Sequence, residues 1–167
     1  MQSLPAPIAD LMLKNHWFLA TAESCTGGMI AAACTDLAGS SNWFERGFVT
    51  YSNHAKTQML GVDAALIAAH GAVSEPVVRA MAAGALAHSQ AQVAIAVTGV
   101  AGPGGGSAEK PVGLVWLGFA LPGPEQTAIY SECRQFAGDR AAVRAATVEY
   151  ALQRLVELIK PPRTPPG

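Results

Sequence analysis

The sequence predicts a single three-layer α/β/α domain built around a mixed, mostly parallel sheet. Two observations lead there. Through most of the chain, apolar strand-like runs alternate with helical stretches, the pattern of parallel strands joined by helices. Near the end, two strand patterns follow each other directly, 112–120 and 127–136, and strands joined without a helix pair antiparallel. Length agrees. At 167 residues, half of them hydrophobic and 14% charged, one domain buries roughly 70% of its unfolded surface. The expected domain is 1–160, followed by a Pro-rich tail, 161–167 (PPRTPPG), with no route to helix or sheet.

Each element has its own signal. Residues 6–14 place Ile8, Leu11 and Met12 on one helical face. Residues 16–22 read as a buried strand. Gly27-Gly28 then opens a helix to about Asp36, and Leu37–Ser41 breaks it. Residues 43–51 (WFERGFVTY) carry the aromatic and β-branched alternation of a strand. Asn53 is the expected cap of a helix to Leu60. A short helix, Ala64–His70, follows the GVD turn. Ser74-Glu75-Pro76 starts a helix to about Ser89: serine as cap, proline in the first turn, glutamate at the positive end. Its inward residues are Val77, Met81, Gly84 and Ala85. Residues 92–98 (QVAIAVT) form a buried strand and 99–111 a Gly-rich loop. After the two late strands, Gly138-Asp139 begins a final helix with Val148, Leu152, Leu155 and Ile159 at helical spacing.

Composition narrows the function. Eleven basic and twelve acidic residues give a net charge of −1 without a basic stripe, so nucleic acid has no electrostatic footprint here. Cys25, Cys34 and Cys133 are odd in number and form no CxxC pair, and the four histidines form no HExxH. Neither a zinc site nor a disulfide framework is expected, and free thiols fit a reducing cytoplasm. No apolar stretch approaches the ~20 residues that span a bilayer, and residues 1–17 lack the core of a signal peptide. The expectation is a cytoplasmic homodimer acting on a small molecule, with no metal, cofactor, nucleic acid or membrane.

Four stretches carry possible chemistry. In TAESCTGG (21–28), a strand turns into a helix whose first N–H groups lack intrahelical acceptors. Ser24 beside those donors suits acyl transfer; a capping Ser24 or Thr26 explains the same residues. Cys25 is reactive only if its thiol ionises. In YSNHAK (51–56), Lys56 is either a solvated lysine or, if burial keeps it neutral, a base toward serine. Tyr51 is either core or catalytic. GVAGPGGGSAEK (99–110) matches neither the P-loop nor GxGxxG, but it follows a buried strand, where α/β folds place their sites. In GDRAAVR (138–144), Asp139 caps the helix, and Arg140 is available to an anionic ligand.

Taken in order, TAESCTGG, GSSNWFERGFVTYSNHAK, GAVSEPV, TGVAGPGGGSAEKPVG and FAGDRAAVR resemble the C-terminal domain of the CinA (competence/damage-inducible) family, in its stand-alone amidase form, over about residues 5–158. The resemblance implies hydrolysis of the carboxamide of nicotinamide mononucleotide to nicotinate mononucleotide and ammonia, in pyridine-nucleotide recycling. It implies a serine–lysine arrangement without metal: Ser24 as nucleophile, Lys56 as base, and Tyr51 orienting the lysine or protonating the leaving ammonia. Backbone N–H groups of Cys25, Thr26, Gly27 and Gly28 are then the oxyanion donors, and Thr98, Gly99, Gly102, Gly104 and Arg140 the substrate contacts. Longer CinA proteins carry a further nucleotide-pyrophosphatase-type domain, whose activity is not expected here. Gly104-Gly105-Gly106 departs from the family, which more often has a polar residue after Gly-Pro.

Overall fold

The computed structural model describes residues 3–160, so the expected tail lies outside the described residues. Five strands form one sheet: β1 (Leu19–Glu23), β2 (Phe44–Val49), β3 (Val93–Gly99), β4 (Leu114–Pro122) and β5 (Thr127–Gln135), in the order β2-β1-β3-β4-β5. β2, β1 and β3 are mutually parallel; β4 runs antiparallel to β3, and β5 antiparallel to β4. Four strands therefore point one way and β4 the other, the mixed, mostly parallel sheet expected.

Among the described residues six α-helices cover the sheet: α1 (Ala6–Asn15), α2 (Met29–Thr35), α3 (Asn53–Leu60), α4 (Ala64–His70), α5 (Glu75–Ala87) and α6 (Arg140–Ile159). Strand side chains alternate between faces, which sorts the core in two. Leu19, Val93, Ile95, Val97, Val115, Leu117 and Phe119 pack under α1, α2 and α6. Ala20, Ala22, Ala94, Ala96 and Ala120 form the other, flatter face, against α3, α4 and α5. Those alanines let α5 lie close, and α5 in turn carries α3. At Gly84 of α5 an added Cβ would fall inside van der Waals contact of the Leu60 carbonyl at the end of α3.

Several element boundaries move for local reasons. The helix α1 runs on to Asn15 and ends at His16, the only described non-glycine residue with positive φ (58°), so β1 starts at Leu19 rather than 16. The helix α2 starts at Met29, because Gly27 and Gly28 (φ 60° and 104°) hold left-handed conformations no helix continues through. Ser52, not Asn53, caps α3, accepting from the Ala55 N–H at 3.0 Å. Ser74 makes no capping bond; its hydroxyl donates to the Gly71 carbonyl at 2.7 Å. Asp139 caps α6 as expected, accepting from the Ala142 N–H at 2.9 Å.

Chain path then creates a crevice. From β1 the chain passes through α2 to β2 on one side; β3, on the other side of β1, is reached through α3–α5 on the opposite face. Diverging connections leave the carboxyl ends of β1 and β3 open between them, the usual position of a ligand site in an open α/β sheet.

Candidate active site

Glu23, the last residue of β1, lies on the α2 side of the sheet and is buried. Its Oε1 accepts from the Thr26 hydroxyl (2.6 Å) and the Ile30 N–H (2.8 Å), and its Oε2 from the Ala31 N–H (3.1 Å). The donors at the start of α2 are thus satisfied by a carboxylate from the strand, favourable also for the helix dipole. Neither Ser24 nor Thr26 caps α2. Sequence reading passed over Glu23; the signal was present, a lone carboxylate ending an apolar strand just before an uncapped helix.

Ser24 is consequently free to face the crevice. Its Oγ accepts from Lys56 Nζ at 3.0 Å and donates to the Tyr51 carbonyl at 3.4 Å. The Ser52 cap turns the first turn of α3 so that Lys56 points inward, where it is 1% exposed. Lys56 Nζ also donates to the carbonyls of Thr50 and Tyr51, both at 3.1 Å. Burial pushes its pKa below the ordinary lysine value, with the nearby Cys25 a lesser, opposing influence. No carboxylate contacts the amine among the described residues. Its three donors thus meet three acceptors, the two carbonyls and Ser24 Oγ; once the amine gives up a proton, two N–H groups keep the carbonyls and the lone pair is left for the Ser24 hydroxyl proton.

The Cys25 side chain is buried, and its thiol pKa is pushed up to about 11, chiefly by burial. It stays protonated at neutral pH, which removes the thiolate a cysteine nucleophile needs. Gly27 N–H donates to the Ser24 carbonyl at 3.1 Å, closing the turn, while the N–H groups of Cys25, Thr26 and Gly28 donate to no backbone carbonyl among the described residues. The expected oxyanion set therefore loses Gly27. From α6, Arg144 donates to the carbonyls of Cys25 (3.1 Å) and Thr26 (3.4 Å).

Ser24, Cys25, Tyr51, Lys56, Thr98, Gly99, Ala101 and Arg140 are among the residues around a cavity of about 260 Å3. Tyr51 reaches Lys56 through its backbone only; its side chain is 61% exposed, and its hydroxyl accepts from Arg140 Nη2 at 3.3 Å. Thr98 spends its hydroxyl on the Ala72 carbonyl at 3.0 Å, fixing the segment before α5. Gly102 presents its carbonyl to Arg140 Nη1 at 2.8 Å. Gly104 is exposed, lies outside this cavity, and an added Cβ there meets nothing within 4 Å. Arg140 and Ala101 also border a larger, open cavity of about 690 Å3, between the Gly-rich loop and the start of α6. Among the described residues no three His, Cys, Asp or Glu side chains gather as metal ligands, and no helix is long and apolar enough to cross a membrane.

The CinA C-terminal domain family model matches residues 1–159. The chain is 58% identical over 155 residues to "Nicotinamide-nucleotide amidohydrolase PncC" of Escherichia coli (strain K12), covering 93% of this chain and 92% of that protein. It is 56% identical over 156 residues to a Pseudomonas putida protein of the same name, covering 93% and 95%. The crystal structure of the competence damage-inducible protein A (ComA) from Klebsiella pneumoniae subsp. pneumoniae MGH 78578 has a TM-score of 0.87 to this fold at 42% identity, covering 92% of this chain and 93% of that one. With that match along nearly its whole length, the chain belongs to the CinA C-terminal domain family.

Proposed function

We propose that this protein is an amidohydrolase that converts nicotinamide mononucleotide to nicotinate mononucleotide and ammonia, using Ser24 as nucleophile and Lys56 as base. The observation that carries the reading is the 3.0 Å approach of Lys56 Nζ to Ser24 Oγ, with the amine buried and its remaining donors held by two carbonyls. Names of the close relatives supply the substrate.

Neutral Lys56 takes the Ser24 hydroxyl proton as Oγ bonds to the carboxamide carbon. Negative charge on the former carbonyl oxygen is met by the N–H groups of Cys25 and Thr26, at a stabilisation of roughly 3–4 kcal/mol per well-placed donor. The C–N bond breaks, and the Lys56 ammonium returns its proton to the departing ammonia. Water, deprotonated by Lys56, then releases nicotinate mononucleotide and restores Ser24. Tyr51 holds Lys56 through its carbonyl, and its phenol forms part of the cavity wall beside Arg140. Arg140 has no carboxylate partner among the described residues, and we assign it to the substrate phosphate. The role in pyridine-nucleotide recycling, the cytoplasmic location and the homodimer belong to the same proposal.

Ammonia release from nicotinamide, its riboside and its mononucleotide tests the reading. Preference for the mononucleotide, lost in Ser24→Ala, is expected. Full turnover by Ser24→Ala would sink the mechanism, and equal turnover of all three amides would sink the phosphate assignment.

A further inference from the structure

The N–H groups of Cys25 and Thr26, which donate to no acceptor among the described residues, sit in a turn whose glycines give it little stiffness of its own. Arg144, on the second turn of α6, supplies the stiffness. Its Nε donates to the Cys25 carbonyl and its Nη2 to the Thr26 carbonyl. A trans peptide is planar, with C=O and N–H on opposite sides. The Cys25 carbonyl shares its plane with the Thr26 N–H, and the Thr26 carbonyl with the Gly27 N–H. Drawing both carbonyls toward α6 turns both N–H groups away from it. Gly27 N–H ends on the Ser24 carbonyl, which shares its own plane with the Cys25 N–H. One guanidinium thus stands at the head of a hydrogen-bond chain that fixes every peptide plane from Ser24 to Gly27.

Its charge acts in the same direction. A guanidinium is protonated at any working pH, and among the described residues no carboxylate pairs with Arg144. A cation on a carbonyl oxygen polarises the amide and strengthens its N–H as a donor, by roughly 10–30% per bond along such chains. A lysine at 144 would be a point charge without the fork that spans two carbonyls.

We propose that Arg144 is a positioning residue for the reaction: it aims and polarises the Cys25 and Thr26 N–H groups at the charge that develops on the substrate oxygen. This rests on the serine-nucleophile reading above. The test compares wild type, Arg144→Lys and Arg144→Gln on nicotinamide mononucleotide and its riboside, with the Tm of each variant measured alongside. Expected is a fall in kcat of about tenfold to a hundredfold, a fraction of the loss when an oxyanion donor is removed outright. The factor should be the same for both amides, KM nearly unchanged, and Lys the milder variant. A rise in KM confined to the mononucleotide would assign Arg144 to the phosphate and overturn the proposal; an unchanged kcat would also overturn it.

Wild type that releases no ammonia from either amide would defeat the amidase reading separately. Arg144 is then judged on Ser24 itself, with a fluorophosphonate probe. The Ser24 Oγ–P bond forms, fluoride leaves, the hydroxyl proton passes to Lys56, and the phosphoryl oxygen needs the same donors. Labelling slowed about tenfold or more in Arg144→Lys sustains the proposal; equal labelling rates overturn it.

Discussion

Lys56 Nζ and Ser24 Oγ lie 3.0 Å apart although 32 residues separate them in the chain. One sits at the end of β1 and the other on the first turn of α3, and burial has lowered the lysine pKa from its ordinary 10.5. Activity should therefore rise with pH as Lys56 loses its proton, with a midpoint below 10.5. Lys56→Ala should remove that limb and lower kcat by about 10²–10⁴-fold, the span of a general base. A pH–rate profile of kcat/KM checks both; a profile with no limb rising with pH anywhere below 10.5 would contradict the base assignment.

The same lowered pKa has a cost in stability. Between the lowered value and 10.5 the unfolded chain binds the proton more tightly than the folded one, so wild-type stability rises with pH across that window. Below it the full cost is present. Lys56→Met, similar in volume and uncharged, should thus be more stable than wild type at pH 7 and inactive. Its advantage should shrink as pH approaches 10.5. Urea midpoints at two pH values measure this, and a gap that stays constant would show that the amine carries no such cost.

The Cys25 thiol is expected to be dispensable. With its pKa near 11 and its side chain buried, Cys25→Ala should keep kcat within about tenfold, since the backbone N–H remains and the loss is a small packing defect. Alkylation should strike exposed Cys133 before buried Cys25 and Cys34. Mass spectrometry of the partly alkylated enzyme, beside its activity, decides the point: inactivation that tracks Cys25 labelling would restore the thiol as nucleophile.

Glu23 should prove costly to remove. Its carboxylate satisfies three donors in the core, and a buried donor left without a partner costs about 1–3 kcal/mol. Glu23→Ala should lose about 3 kcal/mol or more on that basis, with Glu23→Gln milder because one acceptor remains. Denaturant unfolding reads the difference; a loss below about 1 kcal/mol in the Ala variant would mean water replaces the carboxylate.

How much of this was legible in the sequence differs by level. Elements were, because periodicity is local: Ala64–His70 coincides at both ends, and Val148, Leu152 and Leu155 are buried at the expected spacing. Ser24 and Lys56 were legible as residue types, and as a pair only through the family resemblance, because their meeting depends on how α3 packs against the end of β1. Tyr51 shows the limit: the sequence offers a phenol, while the fold uses its carbonyl at Lys56. Glu23 and Arg144 act through backbone groups, which look alike at every position until the chain is folded. Gly104 was offered with its loop neighbours, but glycine spacing does not tell which residues face the cavity.

Gly84 sets how closely α5 and α3 approach each other, and α3 carries Lys56. The missing methyl lets α3 settle onto α5, and α3 is the beam from which the lysine hangs. Thickening that contact by one carbon lifts the beam by a fraction of an ångström to an ångström, comparable to the margin between a serine that can hand over its proton and one that cannot. The joint lies one turn from the lysine on the same helix, and Gly84→Ala is expected to register as lost turnover in a protein that still folds.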